Sequence, residues 1–131
     1  AVTAHSAAQR AYDLTVDYVK QRQAFGHTLL EFQNTRFVLA DLRTKLQVGW
    51  AHLDACIAAL LQGKLTTEQA ASAKLFHTEL RSEVTDACVQ LFGGYGYMNE
   101  YEIARLWKDT RIQRIYGGSS EIMKELISRA I

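Results

Sequence analysis

The stretch Tyr116-Gly117-Gly118-Ser119-Ser120-Glu121 interrupts an apolar helical pattern near the end of the 131-residue chain. Two adjacent glycines let main chain approach a bound group closely. The helix that Ser119 caps then presents free N–H groups, an end that favours anions, and Glu121 in its first turn is favoured by the same dipole. Capping accounts for the serines but gives the glycines no purpose. A second stretch, Gln90-Leu91-Phe92-Gly93-Gly94, ends another helical pattern. It reads either as a glycine cap before irregular chain or as main chain exposed to a ligand. A third, Arg22-Gln23-Ala24-Phe25-Gly26, sets a guanidinium at a helix end beside an aromatic ring and a turn. Arg22 there complements the helix dipole or meets a phosphate on a ring-bearing ligand, and Gln33 at the next helix start offers an amide to solvent or to the same ligand.

No Ser/His/Asp order, P-loop or HExxH stretch accompanies these residues. The Gly93 to Gly96 cluster lacks the preceding strand that a dinucleotide-binding glycine motif requires. His5, His27, His52 and His77 are scattered without ligand spacing, so no metal site is expected, and Cys56 and Cys88 read as reduced core thiols in a cytosol-like compartment. Fifteen basic against fourteen acidic residues leave a net charge of +1, which speaks against a nucleic-acid surface. No apolar run reaches the ~20 residues of a membrane span.

The elements that must position these residues are helices. Proline is absent, and the chain is 48% hydrophobic and 22% charged, the balance of a globular domain with long unbroken helices. The first helix is predicted from the start to about Arg22, with Ala4, Ala8, Ala11 and Tyr18 on one face. The second runs from about Phe32 to Gln62 with a seam of Leu39, Leu42, Leu46, Trp50, Leu53, Ile57 and Leu60, and stops at Gly63. A capping box of Thr66 and Gln69 opens the third, which buries Ala73, Phe76, Leu80, Val84, Ala87 and Leu91 and ends near Phe92. The fourth spans about Tyr101 to Asp109, and the fifth runs from Ser119 to the end. No strand pattern is visible. The fold class is all-α, an up-and-down helical bundle. The helical pattern is already under way at Ala1, which leads us to expect a piece of a longer protein.

Taken together and in register, RQAFG with Gln33, QLFGGYGY, EYEIARLWKD and IYGGSSEIMKELISR resemble the C-terminal helical domain of acyl-CoA dehydrogenases, most of all the long-chain branch. The resemblance covers essentially the whole chain. It implies an N-terminal helical domain and a middle β-domain outside these 131 residues. It also implies an FAD cofactor, an acyl-CoA substrate, an electron-transferring flavoprotein as partner and a homo-oligomer, dimer or tetramer. The compartment would be the bacterial cytoplasm or the mitochondrial matrix.

Residue by residue, the resemblance puts Arg22 on the pyrophosphate of FAD, with Phe25 and Gln33 lining the same cofactor. Gln90, Leu91, Phe92, Gly93 and Gly94 would meet its adenosine half, on the flavin of a neighbouring subunit. Ser119, Ser120 and Glu121 would serve the subunit's own flavin, and Tyr116, Gly117 and Gly118 would border flavin ring and thioester. Many family members carry the catalytic glutamate where this chain has Gly117; long-chain and isovaleryl-type members do not. No catalytic base is therefore expected here, and the resemblance places it on the helix leading into Ala1. Ser119 for threonine and Lys108 for arginine are smaller departures. Relatives of the same fold acting as acyl-CoA oxidases or flavin monooxygenases, and a non-catalytic oligomerisation module, are the competing readings.

Overall fold

Small residues decide how the first helix packs. In the computed structural model, which describes residues 1–131, α1 (Val2–Gln21) turns Ala4, Ala8 and Ala11 fully inward, and Thr15 and Val19 continue that face. With only methyl groups on this stripe, α3 (Thr67–Phe92) comes close alongside and packs against all four other helices. Ala8 and Ala11 join Leu42 and Leu46 of α2 (Gln33–Leu61), Leu80, Val84, Cys88 and Phe92 of α3, and Ile103 of α4 (Glu102–Thr110) in one core. The last helix, α5 (Ser120–Ser128), lies against α3.

The helix ends follow their sequence signals. The Thr66 hydroxyl accepts from the Gln69 N–H and the Gln69 amide oxygen accepts from the Thr66 N–H, both at 3.1 Å. Ser119 caps α5 by accepting from the Ile122 N–H. Arg22 is the residue after α1 and is extended, its N–H donating to the Tyr18 carbonyl at 2.8 Å.

Four expectations are modified. The connection after α1 contains a short antiparallel ladder, β1 (Gln23–Ala24) with β2 (His27–Thr28), turned by Phe25 and Gly26. Two residues per strand are too few for alternation to show in a sequence. Residues Gly93–Tyr97 form a 3-10 turn rather than irregular chain. The apolar seam also runs further than the core: Ile57, Leu60 and Phe76 are exposed. At 29 residues against 20, α2 extends past α1, and its last turns lose that partner. Cys88 is buried, and burial pushes its thiol up to about 11, whereas Cys56 is only half-buried.

Candidate functional site

Where α3 ends, its last turn, the 3-10 turn and the end of α1 enclose a groove of about 580 Å³. Arg22, Gln90, Leu91, Phe92, Gly93 and Gly94 all line it, together with Tyr18, Leu29, Tyr95 and Met98. Tyr18 fastens the two helices: its ring stacks on Phe92 with centroids 4.0 Å apart and its hydroxyl donates to the Phe92 carbonyl at 3.3 Å. Burial holds that phenol above its ordinary pKa, so it stays a neutral donor. Gly93 closes α3 at a φ of 63°, and a Cβ on Gly93 or Gly94 would meet nothing within 4 Å. The main chain here is open to a ligand. Arg22 belongs to none of the chain's ion pairs. Its guanidinium lies over the Tyr95 ring, 5.4 Å from the centroid.

Phe25 and Gln33 are not part of this groove. Phe25 is the hairpin tip, 95% exposed and at a φ of 54°. A left-handed non-glycine residue costs about 1–2 kcal/mol. Gln33 is the exposed first residue of α2.

The glycine–serine loop lies elsewhere on α3. Gly117 and Gly118 have φ of 64° and 93°, and Tyr116 is exposed beside them. A Cβ at Gly117 would point into open space, while one at Gly118 would come within 2.5 Å of the Met123 methyl. The Gly117 N–H donates to no carbonyl of the chain. The flanks are held from α3. The Lys74 ammonium donates to the Gly118 carbonyl. The Ser120 hydroxyl donates to Glu79 Oε1 at 2.8 Å. Arg114 Nε stands 2.9 Å from the same oxygen, an ion pair bent away from hydrogen-bond geometry. Glu121 is held below the usual carboxylate range by its own backbone N–H and by the Ser119 hydroxyl. Hence it is a poor base.

The two sites occupy different parts of one helix. From Lys74 and Glu79 to Gln90 is about 16–24 Å along the α3 axis at 1.5 Å per residue. Sequence reasoning found the glycines and Arg22 but not Tyr18, Tyr95, Lys74 or Glu79. Tyr18 precedes Arg22 by four residues, one helical turn, which was the available signal. The Lys74 and Glu79 contacts join residues more than forty apart, and no local pattern reports them.

The structure defines an all-α helical domain whose central helix carries an open groove lined by Arg22 near one end and a tethered glycine loop further along. Comparison with known proteins gives the family. The model of the acyl-CoA dehydrogenase C-terminal domain matches residues 1–131. Pig (Sus scrofa) mitochondrial long-chain specific acyl-CoA dehydrogenase is 46% identical over 126 residues, covering 96% of this chain and 29% of the relative. The crystal structure of an acyl-CoA dehydrogenase from Geobacillus kaustophilus superposes with a TM-score of 0.95 at 42% identity, over 97% of this chain and 33% of that one. A Mycobacterium smegmatis glutaryl-CoA dehydrogenase in complex with FADH2 superposes at 0.93 with 25% identity, over 97% and 33% respectively. The chain belongs to the acyl-CoA dehydrogenase family, in its C-terminal domain. It spans about a third of the length of the relatives it matches.

Proposed function

We propose that these 131 residues are the C-terminal bundle of an FAD-dependent dehydrogenase that desaturates fatty acyl-CoA thioesters at the α,β position. The observation that carries this is the groove in which Arg22 and the Gln90 to Gly94 backbone converge. It fits the diphosphate of a dinucleotide. A guanidinium free of carboxylates supplies charge-assisted donors, and unshielded glycine main chain allows close approach. Phe25 and Gln33, beside this groove in sequence, would contact the same cofactor.

When bound, the flavin supplies the hydride acceptor. The residues of this chain supply position and charge. The free N–H of Gly117 would donate to the thioester carbonyl and stabilise negative charge on its oxygen as the α-proton leaves, a contribution of the oxyanion-hole kind. Tyr116 and Gly118 border the space in front of it, and Ser119, Ser120 and Glu121 offer polar atoms to the cofactor on that side. By the resemblance to the long-chain branch, the α-proton would be taken by a base outside residues 1–131. Glu121 is held anionic at a helix start, and Glu79 is occupied by Ser120 and Arg114.

The resemblance implies that the groove completes the cofactor site of a neighbouring subunit, while the glycine loop serves the subunit's own flavin. The active protein is then a homo-oligomer, dimer or tetramer, with N-terminal helical and middle β-domains and an electron-transferring flavoprotein as acceptor. No helix is long and apolar enough to cross a membrane. The compartment would be the mitochondrial matrix or the bacterial cytoplasm. The test is the complete protein with Arg22→Ala. Removing a charge-assisted contact worth about 1.5–3 kcal/mol should leave the purified protein depleted of FAD while helicity persists. Unchanged flavin content would overturn the assignment. If the flavin, once reduced by substrate, reacted rapidly with oxygen, an oxidase or monooxygenase would replace the dehydrogenase.

A further inference from the structure

We propose that Tyr95 is a positioning residue for the cofactor, acting through Arg22. The inference rests on the reading of the groove as a dinucleotide site. Arg22 is exposed, and its side chain is long, flexible and free of ion pairs. Its backbone is fixed on both sides: the N–H donates to Tyr18 and the carbonyl accepts from the Leu29 N–H, each at 2.8 Å. What restrains the guanidinium itself is the Tyr95 ring beneath it.

Tyr95 is suited to that task because it is itself held. Its ring stacks on Tyr101, centroids 5.2 Å apart and planes within 24°, and its carbonyl accepts from the Met98 N–H. The 3-10 turn that carries Tyr95 is packed against α3 so tightly that a Cβ at Gly96 would lie 2.6 Å from the Val89 carbonyl oxygen. Tyr101 thus holds Tyr95, and Tyr95 lies under Arg22 where both line the groove. A cation–π contact engages the ring face and consumes none of the five N–H donors of arginine, so all remain for anionic oxygens. The ring pre-orders the cation before the ligand arrives, which lowers the ordering cost of binding.

The experiment measures FAD affinity by reconstitution of the complete apoprotein, with circular dichroism confirming that each variant is folded. Tyr95→Ala should weaken FAD binding about three- to tenfold, the scale of a partly exposed cation–π pair. Tyr95→Phe should restore it, because the π face is kept, and Tyr95→Leu should not, although it keeps apolar bulk. Arg22→Ala should weaken binding about ten- to a hundredfold. In the Arg22→Ala background, Tyr95→Ala should add nothing. If Tyr95→Ala binds FAD as the parent does while Arg22→Ala does not, the positioning role is wrong and the site stands. If the two losses simply multiply, or Tyr95→Leu restores binding, Tyr95 acts by packing and the proposal fails. If Arg22→Ala itself binds FAD normally, the groove is not the cofactor site and both readings fall.

Discussion

The Nδ1 atoms of His5 and His77 face each other at 3.0 Å in the centre of the bundle, both rings fully buried. One must donate and the other accept, so both are neutral and share one hydrogen bond. Neither Nε2 has a partner. Burial lowers the pKa of both; for His77 it falls to about 4, with the nearby His5 and His52 adding to the effect. A histidine whose folded pKa lies below its unfolded 6.5 binds its proton more readily in the unfolded chain. Stability from this pair is therefore complete above about pH 6.5 and is lost as pH falls toward 4. Two to three pH units correspond to about 3–4 kcal/mol. Urea unfolding of residues 1–131 between pH 7.5 and 4.5 should show this slope, and His77→Gln should flatten it. A slope unchanged in His77→Gln would assign the effect to other groups.

Gly49 makes room for that pair. It lies mid-way along α2, where Gly→Ala ordinarily stabilises a helix by about 1 kcal/mol. Here an added Cβ would sit 2.5 Å from His5 Cε1 and 3.2 Å from a Leu80 methyl. The buried His5 ring is packed edge-on against Trp50 and His77, and overpacking costs about 1–3 kcal/mol. We expect Gly49→Ala to lower stability by about 1–2 kcal/mol, against the sign of helix propensity. A variant with raised stability would show that the ring can move aside.

The histidines mark the limit of what the chain discloses by pattern. Helix lengths, the Thr66 capping box, the Ser119 cap and the Ala4, Ala8, Ala11 face are local or periodic, and they were legible. His5 and His77 look scattered because they are 72 residues apart, and only the packing of α1 on α3 makes them neighbours. The site divides in the same way. Arg22 and the glycines stand out by residue type and by their places in loops, although capping and the helix dipole use the same residues at helix ends. Tyr95, Lys74 and Glu79 do not, since an aromatic residue in a turn or a charge on a helix has many ordinary uses. Ile57 and Leu60 show the opposite error, periodicity promising a burial that the length of the partner helix does not supply.

Glu79 should control the glycine loop without touching substrate. It accepts from Ser120 and pairs with Arg114, one residue from each flank of Tyr116 to Gly118. Glu79→Ala releases both. In the complete protein it should raise the KM for acyl-CoA several-fold while FAD content stays normal, and amide exchange across residues 115–120 should quicken. Glu79→Gln, which keeps an acceptor for Ser120, should lie between the two. Normal exchange in Glu79→Ala would show that Lys74 holds the loop by itself.

Desaturation requires a group that removes the α-proton from within hydrogen-bond reach, about 3 Å. At position 117 there is no side chain to do so. Glu121 has its anionic form stabilised by its own N–H and the Ser119 hydroxyl, so it is less basic than an ordinary carboxylate. In the complete protein Glu121→Gln should therefore leave substrate-dependent bleaching of the flavin within a few-fold of the parent. By the resemblance to the long-chain branch, we propose that the base would be a glutamate about one helical turn before Ala1. Its change to glutamine should abolish that bleaching while FAD remains bound. A Cβ at Gly117 would meet nothing within 4 Å, and that space would admit a carboxylate arriving from another helix. Residues 1–131 by themselves should turn over no acyl-CoA. Turnover by these residues, or loss of bleaching in Glu121→Gln with flavin retained, would move the base into this chain and overturn the assignment.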